Sequence, residues 1–287
     1  MLLNGLVVAS YGKRYGVELE DGTELSCVTR GKKTDLACGD KVKVRLTGPG
    51  EGVVEQLEPR SSLLYRSNSF RSKMLAANVT QAVIVLATQP SFYEELLNRC
   101  LVACEAAGVK ALIVLNKCDL DNANEAMLRL QDYAALGYNI QPLSARDNVA
   151  PLKPWLRGET SVLVGQSGMG KSTIVNALLP GKMVRTQEVS TVLDSGKHTT
   201  TAAHLYHLDA ESKLIDSPGL QEFGLHHLNA EQLELAFVEF RPYLGKCRFN
   251  NCRHLKEPDC AIQAAVDAGD ILPRRFACYQ QLRQEIP

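Results

Sequence analysis

A chain of 287 residues with 45% hydrophobic and 22% charged residues has room for two or three compact units, each with an ordinary apolar core. No stretch approaches the roughly 18 apolar residues of a membrane span, which excludes a helical membrane protein. The formal net charge of zero hides a pattern: residues 1–73 hold 12 Lys+Arg against 9 Asp+Glu, residues 74–240 hold 12 against 18, and residues 241–287 hold 8 against 5. Basic flanks suit a polyanionic partner, with scattered solvated charge as the plain alternative. Met1-Leu2-Leu3 lacks the basic leader of a signal peptide, and Asn4-Gly5 breaks its apolar run, so a first strand is expected there. The odd number of cysteines, nine, spread through the chain points to a reducing, cytoplasmic location.

Residues 2–58 carry five short strand-like runs: Leu6–Ala9, Tyr15–Leu19, Glu24–Val28, Lys41–Leu46 and Gly52–Glu55. Asp21-Gly22 signals a hairpin. Lys41 to Leu46 alternates basic and apolar residues, which predicts one buried face and one positive face. Five strands in so short a span predict a small closed barrel of the OB type (residues 1–60), a fold that commonly binds nucleic acid. Arg60 to Lys73 has four basic residues, two aromatics and no acid. Residues 61–73 are expected to be a basic linker that either touches a phosphate backbone or is simply solvated.

The pattern then becomes α/β. Ala82–Ala87 and Ala111–Leu115 are continuous apolar runs, as expected of parallel strands buried on both faces. Between them, Tyr93 to Gly108 has helical spacing. Ser161–Val164 leads into Gly165-Gln166-Ser167-Gly168-Met169-Gly170-Lys171-Ser172, a phosphate-binding loop. Its glycines let backbone N–H groups face phosphate oxygens, Lys171 adds a positive charge, Ser172 offers a hydroxyl to Mg²⁺, and Thr173 opens the following helix. The expected α/β domain spans 74–228.

The guanine signature lies upstream of this loop rather than downstream. Asn116-Lys117-Cys118-Asp119 follows a strand. Asp119 can accept from the N1–H and the exocyclic amine of guanine, Asn116 ties this loop to the phosphate side, and the Lys117 stem can lie along the base. Ser144-Ala145-Arg146 fits the loop that offers a backbone N–H to the guanine carbonyl. Asp216-Ser217-Pro218-Gly219 supplies a carboxylate for Mg²⁺ and, from Gly219, an N–H for the γ-phosphate. Thr199, Thr200 and Thr201 all carry the hydroxyl needed to complete the Mg²⁺ shell, Thr200 being favoured and Thr201 second. Leu220 stands where ordinary GTPases carry the water-orienting glutamine. His198 would either position that water or only hydrogen-bond within the switch. Gly168 replaces the asparagine of cation-activated GTPases, so no potassium ion is expected.

Cys247, Cys252, His254 and Cys260 fall within fourteen residues and form a Cys₃His set of the kind that holds a structural zinc ion. A disulfide or a chance cluster is the alternative, and Cys278 a distant substitute ligand. Residues 229–287 are expected to be a helical zinc-binding domain, with Arg248, Arg253 and Lys256 on the cluster loop.

The order of base motif, Ser-Ala-Arg, phosphate loop, His198-Thr-Thr-Thr and Asp216-Ser-Pro-Gly resembles the circularly permuted GTPases. The leading barrel and the Cys-x4-Cys-x-His-x5-Cys cluster make the whole chain similar to the ribosome small subunit-dependent GTPase A family. That resemblance implies a multidomain protein: an OB-type barrel, a permuted P-loop GTPase domain and a zinc domain. It implies one zinc ion, Mg²⁺ with GTP or GDP, and His198 as the catalytic histidine. It further implies late maturation of the 30S subunit, with 16S rRNA gripped by the barrel and zinc domain and GTP hydrolysis coupled to release. A monomer is expected. A nucleotide-dependent RNA-binding module with negligible catalysis is the alternative, as is a permuted GTPase acting on another RNA. Because the permutation joins Leu220–His227 directly to the zinc segment, loss of the γ-phosphate is expected to change subunit affinity.

Overall fold

Alternation of buried and exposed positions shapes the first unit. Leu25 and Cys27 in one strand, and Val42 and Val44 in another, turn inward while their neighbours face out. The strands are β1 (Leu3–Tyr11), β2 (Arg14–Leu19), β3 (Glu24–Thr29), β4 (Lys41–Gly48) and β5 (Glu51–Leu57). They pair in the order β1-β2-β3-β5-β4, and β4 returns to β1, which closes the OB-type barrel expected from the sequence. Val7, Tyr15, Val17, Leu25, Val42, Val44 and Val54 fill a core of its own. The outer face of β4 is less positive than its lysines and arginine imply. Arg30 and Arg45 both pair with Glu55, at 3.0 and 2.8 Å, and Lys43 lies 3.7 Å from Glu58.

This computed structural model describes residues 1–30, 35–66, 73–180, 203–217 and 223–286. Within 61–73, Leu63–Arg66 is a strand, β6, paired antiparallel with β7 (Lys73–Ala77). Leu64 is buried beneath it. The pairing reflects the apolar Leu63-Leu64-Tyr65, whose strand character is masked in the sequence by the surrounding arginines and serines. The Gly224 N–H donates to the Tyr65 carbonyl at 2.7 Å, and the Tyr65 and His227 rings lie 4.3 Å apart. The hairpin is thus attached to the segment that follows Asp216-Ser217.

The α/β unit is built on β8 (Gln81–Ala87), β9 (Lys110–Asn116), β10 (Asn139–Pro142), β11 (Thr160–Val164), β12 (Ala203–His207) and β13 (Lys213–Asp216). All but β12 run parallel, in the order β10-β9-β8-β11-β13, with β12 antiparallel on β13. Every residue of β8 is buried, which explains its uninterrupted apolar run. The crossovers include α1 (Glu94–Ala107, stopped at Gly108) and α2 (Ala123–Ala135), and the short α3 (Lys153–Leu156) precedes β11. α4 (Lys171–Leu178) follows the phosphate loop.

The two units share one sheet. β12 pairs antiparallel with β1, Ala9 opposite His204 and Ser10 opposite Ala203. His207 Nε2 lies 2.8 Å from Glu18 Oε1 across this seam, and the Tyr11 and His204 rings meet edge to face. The eleven strands therefore run unbroken from β10 to β4.

The C-terminal part has α5 (Ala230–Ala236), α6 (Ala261–Asp267) and α7 (Pro273–Glu285). Asn229 and Gln232 form a capping box at the start of α5. Leu233, Phe237, Phe240, Ile262 and Tyr279 belong to the same apolar cluster as the α/β core. The fully buried Arg275 of α7 binds Glu239 at 2.6 Å and Asn98 of α1 at 2.9 Å. No helix among the described residues is long and apolar enough to cross a membrane.

Candidate nucleotide site and cysteine–histidine cluster

Ligand loops of an open parallel sheet lie beyond the carboxyl ends of its strands. Three such loops meet here: the base motif after β9, Ser144-Ala145-Arg146 after β10, and the phosphate loop after β11. The buried Asn116 joins them. Its Nδ2 donates to the Met169 carbonyl at 2.9 Å, and its Oδ1 accepts the Ala145 N–H at 3.0 Å. A Cβ at Gly170 would lie 2.3 Å from Asn116 Nδ2, and one at Gly165 would lie 2.2 Å from the Val85 carbonyl oxygen. Both glycines also have positive φ, so these two positions exclude side chains on two counts.

The other residues of the base motif divide by direction. Lys117 adopts a left-handed backbone, φ 62°, and its ammonium donates to the Gln89 carbonyl at 2.6 Å. Cys118 turns its thiol inward onto the Leu115 carbonyl at 3.1 Å, so it adds backbone rather than side chain to the loop. Asp119 is exposed, and Ser144 lies partly buried beside the Ala145 turn.

In the phosphate loop Ser167 and Gly168 are exposed. Gln166 accepts the Tyr93 N–H at 3.0 Å, at the start of α1. Ser172 and Thr173 form the first turn of α4 after Lys171. The Lys171 ammonium folds onto the Gly165 and Gln166 carbonyls, the latter at 2.9 Å. Burial lowers its pKa to about 8, with Asp216 opposing the shift. Burial likewise raises Asp216, at the end of β13, above the usual carboxylate value, with Lys171 and His204 opposing. His198, Thr199, Thr200, Thr201, Gly219 and Leu220 lie outside the described residues.

The lowered Lys171 gives a proton-linkage prediction. Phosphates bound beside it favour the charged form and raise its pKa, so affinity is full below pH 8 and declines as pH rises toward the bound value. GDP binding at pH 8 is expected to take up roughly half a proton. Calorimetry in two buffers of different ionisation heat measures this, and a null result would mean that Lys171 is already fully charged.

A second constellation is independent of the first. The ligand atoms of Cys247, Cys252, His254 and Cys260 all lie within 4.8 Å of one another. His254 Nδ1 is 3.5 Å from Cys247 Sγ and 3.3 Å from Cys260 Sγ, and the two sulfurs are 3.9 Å apart. A tetrahedral zinc ion at about 2.3 Å from sulfur and 2.0 Å from nitrogen needs ligand atoms roughly 3.5–3.8 Å apart, so Cys247, His254 and Cys260 stand close to that spacing, with Cys252 within 4.8 Å of them. The outer imidazole nitrogen faces Glu234 at 3.9 Å, and the Ala261 N–H reaches the Cys247 sulfur at 3.4 Å. Cys278 is buried and is not part of the group.

Sequence reasoning missed Thr88 and Gln89, which touch the base motif. Their position immediately after the apolar run of β8 was the available signal, since that end of a parallel strand carries ligand loops.

A phosphate loop that follows the base motif, on a parallel sheet between a barrel and a Cys₃His cluster, defines a circularly permuted GTPase. The sequence model of the RsgA GTPase family matches residues 57–226, and the chain belongs to that family. It is 52% identical over 281 residues to the small ribosomal subunit biogenesis GTPase RsgA of Nitrosospira multiformis, covering 98% of this chain and 90% of that protein. It is 50% identical over 284 residues to the protein of the same name from Nitrosomonas europaea, covering 98% and 90%. Among solved structures it resembles YjeQ from Thermotoga maritima, with TM-score 0.76 and 29% identity over 99% of this chain and 98% of that one. It also resembles YloQ, described as a circularly permuted GTPase, with TM-score 0.72 and 27% identity over 99% and 95%.

Proposed function

We infer that this GTPase acts on the small ribosomal subunit late in its assembly. GTP sits in the three-loop pocket. Asp119 reads the guanine edge, the loop Gly165–Ser172 holds the phosphates, and Ser172, Asp216 and Thr200 hold Mg²⁺. Gly219 meets the γ-phosphate, and His198 positions the attacking water. The Cys₃His set takes one structural zinc ion. The barrel and the zinc-bearing part grip 16S rRNA, and hydrolysis releases the factor.

The observation that supports this reading is the Asn116 bridge, which ties together three loops whose chain order is shuffled. The similarity to small ribosomal subunit biogenesis GTPases supplies the ribosomal context. Coupling between nucleotide and RNA is supported by two attachments. The strand after residues 181–202 is sewn to the barrel, and the segment after Asp216-Ser217 is bonded to the β6–β7 hairpin.

GTP turnover with and without purified 30S particles tests the reading. Stimulation of at least about tenfold is expected, and His198→Ala should remove about a hundredfold of the stimulated rate at nearly unchanged GTP affinity. Absence of any stimulation by 30S particles would leave a nucleotide-dependent RNA-binding module in its place.

A further inference from the structure

The backbone that aims Asp119 is held in a costly shape. Lys117, two residues before it, has φ 62° without being glycine. The peptide unit between Lys117 and Cys118 is pinned at both ends. Its N–H donates to the Leu143 carbonyl at 3.1 Å. Its carbonyl accepts from the Leu120 N–H at 3.1 Å and from the Thr88 hydroxyl at 3.2 Å. Thr88 lies just past β8, whose last residue Ala87 is opposite Asn116, so the parallel register sets it beside Lys117. Its side chain is buried at 6% exposure, and the only hydrogen bond its hydroxyl makes among the described residues is this one.

We propose that Thr88 is a positioning residue for guanine recognition, acting through the Lys117–Cys118 peptide to set the angle of Asp119. The inference rests on the reading of Asp119 as the guanine-binding carboxylate. That carboxylate would make two parallel hydrogen bonds, to N1–H and to the exocyclic amine. A tilt breaks one arm of such a pair before the other. Inosine diphosphate has the N1–H but lacks the amine, so it depends on one arm only and is less sensitive to the tilt.

Binding of GDP and of inosine diphosphate to the full chain, measured by calorimetry for wild type, Thr88→Val and Thr88→Ser, tests this. Thr88→Val is isosteric and removes only the donor; it should weaken GDP binding about fivefold, the worth of one ordinary hydrogen bond. Inosine diphosphate should lose less, so that the preference for GDP narrows about threefold. Thr88→Ser keeps the hydroxyl and should restore the preference. An unchanged preference in Thr88→Val, even with a lowered melting temperature, would assign Thr88 a merely structural role and overturn the proposal. If Thr88→Val does not fold, Thr88→Ala carries the same comparison. Should the wild-type chain itself bind both ligands equally, the reading of Asp119 fails, and that failure is visible before any variant is measured.

Discussion

Asn116→Ala is expected to weaken GDP binding by about a hundredfold or more, a loss near 2.7 kcal/mol, and to destabilise the free chain by about 2–4 kcal/mol. The side chain is 2% exposed and makes both of its bonds to main-chain groups of other loops. Alanine leaves the Met169 carbonyl and the Ala145 N–H buried without partners, each at a cost of about 1–3 kcal/mol. The effect on binding exceeds the contact itself, since the phosphate loop and the base loop lose their common tie and must be reordered by the nucleotide. Calorimetric titration with GDP and urea unfolding measure the two quantities. Near-wild-type affinity in the variant would mean that the loops hold their places without the amide.

The largest stability effect is expected at the buried ion pair that fixes α7 to the rest of the molecule. Arg275 is 1% exposed and forks onto Glu239 at 2.6 and 3.1 Å. It also donates to Asn98 Oδ1, which in turn accepts the Tyr133 hydroxyl at 2.9 Å, and the guanidinium lies 4.7 Å from the Phe237 ring centre. Arg275→Leu or Glu239→Leu strands one charge in an apolar setting and should cost about 3–5 kcal/mol each. The double variant removes both charges and should recover most of that loss, because the pair owes its strength to mutual need rather than to net stabilisation. Urea denaturation of the three variants gives the coupling energy directly. Additive losses in the double variant would show that the two side chains act separately.

Motifs whose chemistry dictates residue type were legible in the sequence. A phosphate needs the glycines of Gly165–Gly170, and tetrahedral coordination needs four donors at close spacing, so both patterns survive in one dimension. The buried strands announced themselves through unbroken apolar runs such as Ala82–Ala87. What stayed hidden involves backbone pairing or compensated charge. The β1–β12 seam joins Ala9 and Ser10 to Ala203 and His204, and a ladder of main-chain bonds leaves no mark on residue choice. The β6–β7 hairpin was concealed by the arginines and serines around Leu63 and Leu64. Arg275 reads as a solvated charge until Glu239 and Asn98 are brought to it. The positive stripe of β4 was visible, but its partner Glu55 on the next strand was not counted against it.

The pairing of β1 on β12 also determines what kind of visitor this side of the molecule can receive. An uncovered β12 would present a row of free N–H and C=O groups, the template on which foreign polypeptides add themselves as extra strands. Here β1 of the barrel takes the first part of that berth, Ser10 and Ala9 lying opposite Ala203 and His204. Strand addition is thereby closed off at Ala203 and His204, the two positions of β12 that β1 already occupies.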